Sequence, residues 1–100
     1  MILATEFDGT LVRKNTSVGD QELIDYLKFH KKAGWELTLL TTRTGQALQD
    51  AKDWCQRRGL AFDYINQNPE WFIEAEGGDC RVIYYDKILT RKRVLIERGT

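Results

Sequence analysis

Two amphipathic segments, each set between short apolar runs, constrain this chain more than any other feature in it. Ile2 to Phe7 is an apolar run that ends in acids and Gly9-Thr10, the pattern of a buried strand entering a turn. Residues 11–19 read as loop. Asp20 then offers an N-cap, Leu23, Ile24, Leu27 and His30 follow at helical spacing, and Gly34 closes the helix. Trp35 to Thr41 is a second compact apolar run. Thr44 is the next N-cap, and Ala47, Leu48, Ala51, Trp54 and Cys55 recur on one helical face until Gly59. Leu60 to Ile65 reads as a third strand, residues 66–69 as a loop, and Glu70 to Glu76 as a short helix. Arg81 to Tyr85 is rich in β-branched and aromatic residues, and Arg93 to Glu97 has a weaker strand signal.

Strands alternating with helices predict an α/β fold with a mainly parallel sheet, right-handed crossovers and helices on both faces. Residues 1–100 make one domain. Ligands of such sheets gather outside the carboxyl ends of the strands. Those ends are predicted at Glu6 to Thr10, Thr41 to Gly45, Asn66 to Asn68 and the region after Tyr85.

Composition excludes several classes. Apolar residues are 42% of the chain, enough for a core, so disorder is not expected. Acids and bases balance at 15 each, so net charge predicts no polyanion partner. The basic cluster of Arg91, Lys92, Arg93 and Arg98 reads as a solvated tail, and nucleic-acid binding is not expected. Cys55 and Cys80 have no metal-ligand spacing and suit a reducing compartment. Met1 to Ala4 lacks a basic n-region and meets Glu6 too soon for a secretory signal. No apolar run reaches the roughly 20 residues that span a bilayer. A cytoplasmic protein with no membrane contact is the expectation. His30, the single histidine, reads as a half-buried helix residue, and Trp35, Trp54 and Trp71 read as core or core edge.

The run from Ile2 to Val12 delivers two acids, two apart, where a buried strand ends, and then turns at Gly9-Thr10. It is similar to the first motif of the haloacid dehalogenase (HAD) superfamily, an apolar strand followed by Asp-x-Asp-Gly-Thr. Leu37 to Gly45 resembles the second motif, with Thr41 at the strand end. Trp54-Cys55, Gly59-Leu60-Ala61-Phe62-Asp63 and Asn66-Gln67-Asn68-Pro69 extend the resemblance to a group of small HAD hydrolases through about residue 69. A Rossmann-like HAD fold without a cap domain is implied. So is a chemistry in which the first acid attacks a phosphoryl group, the second acts as general acid and base, and Mg²⁺ lies between them. The resemblance assigns catalysis to Glu6, Asp8 and Thr41. It assigns phosphate binding to Gly9, Thr10, Thr42, Arg43 and Arg81, and metal binding to Glu6, Asp8 and Asp86.

Two departures oppose that chemistry. Glu6 stands where the nucleophilic Asp belongs, and its extra methylene displaces the carboxylate by roughly 1–1.5 Å. Misplacements of that size cost about a hundredfold in rate. The second departure is at the fourth motif, an apolar strand ending in two acids. In one register Val82 to Tyr85 is that strand, keeping Asp86 and replacing its partner with Lys87. In the other Tyr84 to Asp86 lie upstream and Thr90-Arg91 occupy the acidic pair; ungapped spacing from Tyr84 to Val94 favours this one, and strand hydrophobicity favours the first. Lys87 or Arg91 beside the metal position would repel Mg²⁺ and pair with Glu6 or Asp8 instead. The expectation is a HAD-like protein with a degenerate, silent or weakened site, acting by binding a protein or a phosphorylated ligand. The alternative is a Mg²⁺-dependent phosphohydrolase that tolerates Glu6.

Overall fold

The computed structural model describes residues 1–13, 18–75, 83–90 and 93–97. Five strands, β1 (Ile2–Glu6), β2 (Glu36–Leu40), β3 (Tyr64–Ile65), β4 (Lys87–Thr90) and β5 (Arg93–Glu97), form one sheet in the order β3-β2-β1-β4-β5. The first four are parallel, and β5 returns antiparallel to β4. Helices α1 (Gln21–Lys32) and α2 (Gly45–Arg57) link β1 to β2 and β2 to β3, and α3 (Glu70–Ala75) lies in the crossover from β3 back to β4. This is a Rossmann-like α/β fold, with its strand order reversing direction at β1.

Side-chain alternation explains the layering. Leu3, Leu37, Leu39 and Leu89 share one face and pack with Leu23, Ile24 and Leu27 of α1 and Ala51, Trp54 and Cys55 of α2. Ile2, Ala4, Thr38 and Ile88 point to the opposite face, where they are also buried. The return from β3 to β4 by a right-handed crossover sets α3 on that second face. Both faces are therefore covered, as a parallel sheet requires.

Local chemistry sets the helix ends. The Asp20 carboxylate accepts from the Leu23 N–H at 3.2 Å and caps α1. Thr44 occupies the N-cap position of α2 but makes no side-chain cap hydrogen bond. Gly34 and Gly59 follow the two helices at φ of 97° and 75°, values that exclude most side chains.

Some expectations need correction. The third strand is shorter than Leu60 to Ile65, because only Tyr64 and Ile65 pair with β2. Ile83 to Tyr85 are not in a strand, and the fourth strand begins at Lys87. His30 is buried outright, its Nδ1 2.9 Å from the Tyr26 carbonyl, and Trp71 is exposed rather than core. Arg81, Cys80 and the cluster at Arg91, Lys92 and Arg98 lie outside the described residues. Among the described residues no helix is long and apolar enough to cross a membrane.

Candidate functional site

The carboxyl ends of β1, β2 and β3 meet around a depression of about 280 Å³, lined by Glu6, Phe7, Asp8, Thr41, Thr42 and Asn66 among others. Glu6 is the last residue of β1, and Asp8 follows one turn residue later, so both acids reach the same opening. The chain then folds back on itself. Gly9, at φ 81°, donates its N–H to the Val12 carbonyl at 2.9 Å, and Val12 bridges to both Asp8 and Gly19. A residue with a Cβ is strained at that φ, which explains a glycine immediately after Asp8.

Asp8 is not an open carboxylate. Arg43 grips it with two parallel hydrogen bonds, Nε to Oδ2 at 2.9 Å and Nη2 to Oδ1 at 2.8 Å. The guanidinium is held from its other sides as well. Its Nη1 donates to the Ala47 carbonyl at 3.1 Å, and its plane lies over the Phe7 ring at 4.8 Å. Hydrogen bonding to Asp8 pushes the Arg43 pKa further up, so the guanidinium keeps its proton throughout the accessible pH range. The two side chains remain 27% and 41% exposed, so the bridge contributes only about 0–1 kcal/mol to stability. What it determines is where the Asp8 oxygens point.

Thr41 is similarly committed. Its Oγ1 accepts from the Arg43 N–H at 3.0 Å, a turn that helps aim Arg43 toward Asp8. Its own backbone is clamped by Asn66, whose amide accepts from the Thr41 N–H at 2.9 Å and donates to the Thr41 carbonyl at 2.8 Å. Asn66 does this from φ 54°, the left-handed region that asparagine tolerates better than most residues. Asn66 was legible as a strand-end loop residue and not as a site residue; the pairing depends on β3 lying beside β2. Thr10 is buried, with its hydroxyl 3.4 Å from Glu6 Oε1. Thr42 is exposed at the rim.

The expected phosphate-binding groups are thus mostly occupied by internal partners. The Gly9 and Thr10 amides serve the turn, Arg43 serves Asp8, and Arg81 lies outside the described residues.

Asp86 does not join this site. It precedes β4, so in a parallel sheet it lies at the amino end of β1, the end opposite Glu6. Its Oδ2 accepts from the Ile2 N–H at 2.6 Å, and its Oδ1 accepts from the Tyr84 hydroxyl at 2.8 Å. Metal binding by Asp86 is therefore corrected to a structural role. Lys87 lies at the same far end, 5.1 Å above the Trp35 ring and 3.4 Å from the Tyr26 hydroxyl, so it cannot pair with Glu6 or Asp8. The residue brought level with Glu6 is Thr90, since Thr5 pairs with Leu89 and each chain then advances by one. This matches the register in which Thr90 stands at the acidic pair.

In this arrangement Asp8 is not free to ligate Mg²⁺. The ion requires several oxygen ligands, usually including carboxylates. Here both oxygens of Asp8 face a guanidinium, and β4 presents Thr90 instead of an acid. Among the described residues no three His, Cys, Asp or Glu side chains converge as a metal site.

No family model matches the sequence. No curated protein matches it either. One solved structure, that of a conserved protein from Bacteroides thetaiotaomicron, is similar with a TM-score of 0.75 and 28% sequence identity, over 90% of this chain and 74% of that one. It supports the α/β architecture.

Proposed function

We propose that the chain is a HAD-like protein whose catalytic centre is silent and which works by binding a protein partner. The observation that carries this reading is the two-point grip of Arg43 on Asp8. A general acid and base must reach a substrate oxygen, and a metal ligand must offer a lone pair to the ion. Asp8 has both oxygens directed at an arginine that cannot give up its proton. Glu6, at the place of the nucleophile, lines the same opening, and among the described lining residues no Lys or Arg stands beside it.

Charge decides between a protein and a phosphorylated ligand. With Asp8 and Arg43 neutralising each other, Glu6 leaves the described lining of the depression negative, which disfavours a phosphate dianion. In this reading Arg43 takes the place of the metal beside Asp8; Lys87 lies at the far end of the sheet, and Arg91 lies outside the described residues.

Hydrolysis of an aryl phosphate and of a nucleotide panel with Mg²⁺ tests the reading. The native chain and Asp8→Asn are expected to be equally inactive. Mg²⁺-dependent turnover that vanishes in Asp8→Asn would support the phosphohydrolase reading instead. Activity gained in Glu6→Asp alone would mean that Arg43 does not block the site.

A further inference from the structure

Away from the acids, two depressions of about 230 and 300 Å³, the first beside α1 and the second beside α2 and β3, adjoin and share Leu60 and Ala61. Their floor is apolar, with Leu37 and Leu60 at one end and Phe62 and Ile65 at the other. The rim is basic. Lys28 and Lys32, one turn apart on α1, stand exposed at one end, and Lys52 of α2 stands exposed at the other. None of the three has a carboxylate partner among the described residues. Asp63 is close by but already committed, holding Lys31 at 2.7 Å and the Leu37 N–H at 2.8 Å.

A helix C-terminus attracts cations, and that accounts for Lys32. It does not account for Lys52, which sits in the middle of α2. The sheet edge adds a third element. β3 pairs with β2 on its inner side and has no strand on its outer side among the described residues. An open edge beside an apolar groove is where an extended segment can add main-chain hydrogen bonds while its side chains fill the groove.

We propose that this groove binds an acidic peptide segment carrying an aliphatic or aromatic anchor. The anchor enters over Leu60 between Phe62 and Leu37, and flanking Asp or Glu side chains meet Lys28 and Lys32 at one end and Lys52 at the other. The proposal extends the protein-binding reading by naming the partner's chemistry, and it uses none of the residues of the carboxyl-end depression.

The test is fluorescence anisotropy with labelled peptides in which a Leu or Phe anchor is flanked by Glu, against the same anchors flanked by Lys. The Glu-flanked peptides are expected to bind, the Lys-flanked ones to bind at least about tenfold more weakly, and added salt to weaken the former. The double variant Lys28→Glu/Lys32→Glu should lose about tenfold in affinity, and Ala61→Trp, which fills the shared part of the groove, should abolish binding. Circular dichroism checks that both variants fold. Equal binding of both peptide classes, or affinity unchanged in the charge-reversed variant, would overturn the proposal. Self-association of the chain that Ala61→Trp abolishes would overturn it too, by assigning the edge to a second copy. Phosphatase turnover, the test of the silent-site reading, is scored separately and touches none of these variants.

Discussion

Replacing Asp86 with Ala separates a structural carboxylate from a metal-binding one. Asp86 is 8% exposed and ties the first residue of β1 to the segment just before β4 through the Ile2 N–H and the Tyr84 hydroxyl. Hydrogen bonds to an ionised group are worth about 1.5–3 kcal/mol each, and an orphaned buried donor costs about 1–3 kcal/mol. Ile2 is 1% exposed, so its N–H has no ready access to water once the acceptor is gone. Two such bonds, less the relief of no longer burying a carboxylate, give a net loss of about 2–4 kcal/mol. For a domain of this size each kcal/mol shifts the thermal midpoint by about 4–8 °C, so Asp86→Ala should melt roughly 10–25 °C lower. Asp86→Asn keeps one acceptor and should lose about half as much. Calorimetry and urea denaturation give the two values. An unchanged midpoint would refute the structural role, and a loss of Mg²⁺ binding without a loss of stability would return Asp86 to the metal.

Further perturbations test other parts of the fold. Burial pushes the Cys55 thiol up from 9.0 to about 11, so the native state keeps its proton where the unfolded chain has lost it. That contribution is present below pH 9 and is lost as pH rises toward 11; stability measured across this window should fall, and Cys55→Ala should flatten the fall. At Gly19 an added Cβ would lie 2.6 Å from the Trp54 ring, so Gly19→Ala should cost about 1–3 kcal/mol in urea denaturation. Asn66→Asp replaces the donor facing the Thr41 carbonyl with an oxygen and should cost about 1–2 kcal/mol by the same measurement.

The parts of the fold that were legible in sequence rest on local pattern. The spacing of Leu23, Ile24 and Leu27, and of Ala51, Trp54 and Cys55, is itself the buried face of each helix. The apolar runs of β1 and β2 are strands buried on both faces. The fourth strand was less accessible, because Arg81 to Tyr85 has the stronger β-propensity while Lys87 to Thr90 forms the strand. Long-range hydrogen bonds decide that outcome. Asn68 Oδ1 accepts from the Tyr84 N–H at 2.6 Å, and Asp86 ties the next step to Ile2. These pairings span 16 and 84 residues and leave no periodic trace.

The candidate site divides in the same way. Glu6, Asp8 and Thr41 were placed by the strands that carry them, and they do surround one depression. The expected ion pair of Asp8 or Glu6 with Lys87 does not form, and Arg91, the other candidate cation, lies outside the described residues. Lys87 and Arg91 are near the fourth motif in sequence, but β4 runs parallel to β1 and leaves Lys87 at the far end. Arg43 is 35 residues from Asp8 and reaches it only because β2 lies beside β1 and Thr41 turns the chain. No spacing rule within one segment contains that geometry.

The central claim is that the cation beside Asp8 is Arg43. A crystal structure of the native chain grown with magnesium tests it most directly. Both Asp8 oxygens should remain on the Arg43 guanidinium, with no octahedral ion between Asp8 and Glu6. An Mg²⁺ ion coordinated by Asp8, with Arg43 swung away, would contradict it.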